Sequence, residues 1–128
     1  MTAGKLAART SRAARKRLNG LEVLYKRGAF TCSPIATIGT TRRDQQSADG
    51  LISKKQVRDF LIDVADLVLD GAAVEPQRDD VIEETDGETV FVYWVQSPGG
   101  SEPAWRYSDR HRITWRIHGQ LIEERPAE

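Results

Sequence analysis

A chain of 128 residues is long enough for one domain with one core and too short for two. With 39% hydrophobic and 30% charged residues it is globular in type. No apolar run approaches the roughly 20 residues that cross a bilayer, and the basic N-terminus lacks the apolar core of a signal peptide, so folding in the cytoplasm without a membrane segment is expected. One cysteine, Cys32, excludes an internal disulfide and has no ligand spacing for zinc around it; it reads as a small buried apolar residue.

Charge is formally balanced but unevenly placed. Residues 1–27 carry eight Lys or Arg against Glu22 alone, whereas residues 59–102 carry twelve acids against Arg78 alone. Such polarity suits a subunit that docks on oppositely charged surfaces, and equally a solvated acidic face with a loose basic tail.

In chain order, residues 1–20 read as a basic N-terminal α-helix. Alanines and leucines favour it, Asn19-Gly20 supplies a C-cap, and Arg9, Arg12, Arg15 and Lys16 lie largely outside its narrow apolar seam. This helix suits a phosphate backbone, an acidic protein groove, or no partner, and without aromatics it offers no base stacking. Alternation at 21–27 and an Ile/Thr-rich run at 35–41 predict the first two strands. Residues 42–56 are polar apart from Leu51 and Ile52 and are expected to form a long loop. Arg42, Arg43, Lys54 and Lys55 give that loop basic ends, suited to a nearby polyanion or to plain solvation.

The segment 57–63 alternates, with Arg58, Phe60 and Ile62 on one side and Val57, Asp59, Leu61 and Asp63 on the other, as in a half-buried strand. Strand pattern resumes at 67–75, with Asp70-Gly71 suited to a tight turn. Residues 76–80 are too polar for core, so the chain is expected to cross the surface before a strand at 81–84. Asp86-Gly87 then predicts a hairpin into 89–96, which is apolar on both faces and therefore central. Residues 97–103 form a Gly/Pro-rich connection; Trp105-Arg106-Tyr107 follows, of residue types favoured as interface anchors. A last strand is predicted at 112–118, with extension through Leu121-Ile122 and a frayed acidic tail at 123–128. The fold class is mainly β, a small partly closed β-barrel spanning 21–122 with a basic N-terminal helix and a long loop.

Catalytic signals are weak. His111 and His118 do not share a strand face, Cys32 with His111 lacks any local signature, the acids 79–84 lack calcium-loop spacing, and no phosphate-cradling glycine motif is present. No enzyme, metal, cofactor or small-molecule substrate is expected.

The order Arg58-Asp59-Phe60-Leu61-Ile62, then Ala65-Asp66-Leu67, Gly71 and Glu75-Pro76-Gln77-Arg78-Asp79-Asp80-Val81-Ile82, resembles the head-closure or stopper family of head-to-tail joining proteins in long-tailed bacteriophages. The later run Glu102-Pro103-Ala104-Trp105-Arg106-Tyr107-Ser108-Asp109, followed by 112–117, resembles that family's C-terminal half. The departure is Asp79, where a Pro-x-x-Gly-Asp turn has Gly; a turn needing positive φ admits Asp at some cost. The resemblance implies a β-barrel subunit without catalysis, forming a ring in the virion neck. That ring would close the DNA-filled capsid between the portal or adaptor ring and the tail proteins. On this reading Arg42, Arg43, Lys54 and Lys55 face channel DNA without sequence preference, while Glu75, Pro76, Arg78 and Asp80 with Trp105, Arg106 and Tyr107 meet neighbouring subunits. A tail-terminator or adaptor ring of the same neck is the alternative; a cytoplasmic nucleic-acid-binding β-barrel is the alternative of another class, opposed by the acidic middle.

Overall fold

The computed structural model describes residues 20–39 and 57–127, together with Arg12, Ala13, Lys16 and Asn19 of the N-terminal segment. In chain order its strands are β1 (Leu21–Glu22), β2 (Leu24–Arg27), β3 (Phe30–Cys32), β4 (Ile35–Gly39), β5 (Val57–Asp63), β6 (Val68–Leu69), β7 (Ala72–Ala73), β8 (Val81–Asp86), β9 (Thr89–Val95), β10 (Trp105–Tyr107) and β11 (Thr114–Pro126). A 3-10 turn at Val64–Asp66 follows β5. The protein is mainly β.

Nine of the strands form one antiparallel sheet with the path β1-β4-β5-β11-β9-β8-β2-β3 and β10 set beside β11. Residues 21–27 serve both ends of that path. Leu21 pairs with Ala36 in β4, while Leu24 pairs with Glu83 in β8. Between them the buried Val23 donates its amide to Pro34 O at 3.0 Å. Sharing one segment between two distant strands requires the sheet to curl, and it does so as a half-barrel.

The alternation in β5 decides which face is inside. Phe60 and Ile62 are fully buried, with Ile82, Tyr93, Trp115 and Ile117 from the neighbouring strands. Phe60 meets Tyr93 edge to face at 5.2 Å, and Trp115 carries Tyr107 stacked at 4.4 Å and Trp105 edge-on at 5.0 Å. Gly119 in β11 is what lets the first pair close: a Cβ there would stand 3.0 Å from Phe60 and 3.1 Å from Tyr93. Leu67, buried after the 3-10 turn, belongs to the same core.

Turn chemistry follows the sequence. Asp70 (φ 54°) and Gly71 (φ 79°) form the tip of the β6–β7 hairpin, and Gly87 (φ 64°) turns β8 into β9. The central position of β9, between β8 and β11, also agrees with its two apolar faces.

Several boundaries differ from the sequence expectation. The stretch 67–75 is a short hairpin rather than one strand, because both Asp70 and Gly71 reverse the chain. β3 and β10 were not anticipated; each is three residues long, below the length at which alternation can be read. The tail expected to fray at 123–128 is paired with β9 as far as Pro126. The acidic side chains there are exposed, but the backbone is in the ladder, and the register slips between Leu121 and Glu123 to admit Ile122 as a bulge. The basic helix expected over 1–20 lies mostly outside the described residues, and the four residues placed there do not establish it. Residues 42–56 lie outside them as well.

Candidate interaction surfaces

The segment 75–80 is a turn built around one buried carboxylate. Asp80 accepts the Gln77 amide at 2.9 Å, two hydrogen bonds from the Arg27 guanidinium at 2.9 and 2.8 Å, and the Tyr25 hydroxyl. Arg27 also donates to Glu75 O at 2.7 Å. Burial, with the hydrogen bond and charge of Asp80, pushes the Tyr25 phenol well above its ordinary pKa, so it stays a neutral donor. Asp79 stands at φ 72°, its amide donating to Val95 O at 3.0 Å and its carboxylate accepting from Gln96 at 2.5 Å. The turn does use the positive φ at which a glycine would be unstrained.

A second turn joins β10 to β11, and Asp109 organises it in the same manner. Its carboxylate accepts the amides of His111, Ile113 and Thr114, each at 3.1 Å, and Arg112 stands at φ 59°. Here the carboxylate is taken up by amides of its own turn, not by a neighbouring arginine. Arg106, Arg110 and Arg112 are exposed. Arg106 contacts Tyr107 O at 3.4 Å, Arg110 the His111 ring at 3.5 Å, and Arg112 stands over the Tyr107 ring at 5.4 Å.

On the outer face of β4, β5 and β11, polar residues are buried under partners. Arg12 reaches Asp63 at 2.7 Å, Thr37 at 2.5 Å and Leu61 O at 2.5 Å, and Lys16 bridges Asp63 and Asp66, both at 2.9 Å. Burial alone would raise the Asp63 pKa, but hydrogen bonds from Lys16 and Arg12 outweigh it and hold the carboxyl below its ordinary value. For Lys16 burial likewise opposes the charge, and the two carboxylates hold its pKa above the usual lysine value. Farther along the same face, Asp59 accepts from Arg116 and lies against His118 Nδ1, both at 2.6 Å.

A buried carboxylate–imidazole pair serves general-base chemistry where a substrate reaches the far ring nitrogen. In this fold His118 Nε2 faces Glu102 at 3.3 Å, beside a cavity of about 20 Å³ lined by Arg58, Asp59, Gln96 and His118, a volume suited to one water. The His118 amide donates to Ala104 O at 2.9 Å and its carbonyl accepts from Gln96 at 3.1 Å. The pair therefore reads as a clasp holding the connection 97–104 to the sheet. Cys32 is half-buried and packs on the core, where burial pushes its thiol pKa up, away from a reactive thiolate. Among the described residues no cluster of three or more His, Cys, Asp or Glu is arranged to hold a metal ion.

The residues singled out from sequence fare differently. Pro76 and Asp80 are buried within the chain, whereas Glu75 and Arg78 are exposed. Trp105 and Tyr107 lie half-buried against Trp115, leaving Arg106 as the outward member of that triplet. Arg12 is 3% exposed and Lys16 half-buried, both engaged with β5 and the 3-10 turn rather than free for a partner. Arg9, Arg15, Arg42, Arg43, Lys54 and Lys55 lie outside the described residues. Sequence reasoning missed Asp109, Arg110 and Arg112 as a unit, although an acid followed closely by two arginines in a turn was visible. Trp94, not singled out from sequence, is 45% exposed on the outer face of β9.

No curated protein and no solved structure matches the chain. A family model described as phage head-tail joining protein matches residues 2–126, nearly the whole length. The half-barrel and its surfaces are thus those of a member of the phage head-tail joining protein family.

Proposed function

We propose that the chain forms a head-closure (stopper) ring in the phage neck, joining the portal or adaptor ring to the tail and retaining packaged DNA. The family match over residues 2–126 carries this reading, because it places the chain among proteins of the head–tail junction. The surface supports a self-associating subunit. Trp94, on β9, and Ile122, at the bulge of the neighbouring β11, are both more than two-fifths exposed. Apolar surface of this kind is what a neighbouring copy covers. Glu75, Arg78 and Arg106 are the outward charges among the residues assigned to ring contacts, and the basic collar Arg42, Arg43, Lys54 and Lys55 enters the reading on charge alone.

The test is reconstitution: purified protein is mixed with DNA-filled, tailless capsids of the source phage and the particles are imaged. A new ring at the portal vertex with DNA retained is the expected result. Particles that gain no density, or that gain it only at the tail-distal end of an added tail tube, overturn the head-closure assignment.

A further inference from the structure

Most described lysines and arginines are matched to a carboxylate. Arg12 and Lys16 meet Asp63, Lys26 and Arg125 meet Glu83, Arg27 meets Asp80, Arg58 meets Glu84, and Arg116 meets Asp59. Arg106, Arg110 and Arg112 are the exception as a group, gathered within seven residues on one exposed turn. The acids near this turn are already engaged. Asp109 points back into its own amides, and Asp63, whose partner in the ladder is Thr114, is held by Arg12 and Lys16. Among the described residues, therefore, no carboxylate is paired with these three exposed guanidiniums. Keeping Arg112 at φ 59° costs backbone energy, and the turn holds it there, over Tyr107.

We infer that this turn, Arg106, Arg110 and Arg112 on a frame fixed by Asp109, binds the phosphate backbone of double-stranded DNA without reading its sequence. Guanidiniums match phosphate oxygens in planar, forked geometry, and a cluster without internal acids gains most from an external polyanion. Sequence is not read, because the adjoining aromatics Trp105 and Tyr107 are packed on Trp115 and offer no face for base stacking. The inference rests on the neck reading for the place where the DNA is met.

The experiment follows binding of the full chain to a labelled duplex of arbitrary sequence by fluorescence anisotropy, from low to moderate salt. Each phosphate contact contributes about −0.9 to the slope of log affinity against log salt, so three contribute roughly −2.7, or about a 40-fold loss between about 50 and 200 mM salt. The variant Arg106→Gln/Arg110→Gln/Arg112→Gln is expected to lose that part of the slope while keeping the wild-type near-UV signal of the Trp115 cluster. Arg78→Gln, an exposed arginine elsewhere, is expected to keep it. An unchanged slope in the folded triple variant overturns the inference, as does binding to polyglutamate that is as tight as binding to the duplex and depends equally on the three arginines. Wild-type chain that binds duplex through this turn but never joins tailless capsids overturns the neck reading and leaves the turn's chemistry standing.

Discussion

The segment 75–80 and the turn 108–113 are built from the same two parts, an aspartate drawn inward by backbone amides and a non-glycine residue at positive φ. They differ in what else the aspartate holds. Asp80 also takes Arg27 and Tyr25 from β2, so its turn is fastened to the neighbouring strand and its charge is neutralised within the fold. Among the described residues Asp109 takes only amides of its own turn, and the arginines around it are exposed. One local device thus gives a structural joint in the first place and an exposed cationic surface in the second. Burial decides which: a carboxylate that is 3% exposed must be paired, whereas a half-buried one is content with amides and water.

The sharpest way to break the comparison is Asp80→Ala. Removing one member of a buried charged pair leaves Arg27 and Tyr25 without their acceptor and is expected to cost about 3–5 kcal/mol, read as a lowered midpoint in chemical denaturation. Asp109→Ala removes an acceptor from three amides that water can partly reach, for a loss of about 1–3 kcal/mol. Its effect on duplex binding sharpens the point. Net charge rises by one, so affinity increases if charge alone matters; if the fixed frame matters, it decreases, and the decrease is the expected outcome.

Asp63 stands between the two cases, half-buried yet paired with both Arg12 and Lys16. Its folded-state pKa lies below its unfolded value, so its contribution is fully present above the ordinary carboxylate range and is lost as pH falls through the depressed value. Lys16, raised in the folded state, contributes below the ordinary lysine pKa and ceases to do so only as pH rises through its own higher value. Asp63→Asn is therefore expected to lower stability near neutral pH by about 1.5–3 kcal/mol, with the two denaturation curves converging under strongly acid conditions. A constant gap down to low pH would mean that Asp63 acts through packing rather than charge.

Much of this was legible in the sequence because it rests on local rules. The alternation in β5 identified Phe60 and Ile62 as core, and Asp-Gly pairs marked two of the hairpin turns. The unusual Asp79 was recognisable as a substitute for glycine, and it occupies positive φ. What was not legible depends on partners distant in sequence. Nothing near Asp80 announces that Arg27 and Tyr25, more than fifty residues earlier, will bury it. The acidic composition of 123–126 hid a backbone that pairs with β9, because composition reports side-chain exposure and not ladder membership. The Trp105-Arg106-Tyr107 triplet was read as three surface anchors, but a strand alternates, and its two aromatics turn onto Trp115 while the arginine turns out.

The smallest effects come from Asp79 and Arg112, the left-handed residues of these two turns, and their difference is the finest test of the comparison. Replacing a non-glycine residue at positive φ by glycine relieves backbone strain but frees the unfolded chain, so gains of about 0.5–1 kcal/mol are the upper end for one site. Asp79→Gly should fall short of that, because aspartate tolerates this conformation better than most residues and because its hydrogen bond with Gln96 is lost. Arg112→Gly gives up only an exposed contact over Tyr107 and should reach the larger gain, seen as a higher thermal midpoint. The same substitution removes one of the three guanidiniums, so the salt slope for duplex binding should fall by about 0.9. A variant that melts higher and binds DNA less would mean that strain at Arg112 is kept for its position against phosphate. A variant that melts lower would mean instead that the Tyr107 contact is what holds the turn, and the two turns would then be alike in function as well as in build.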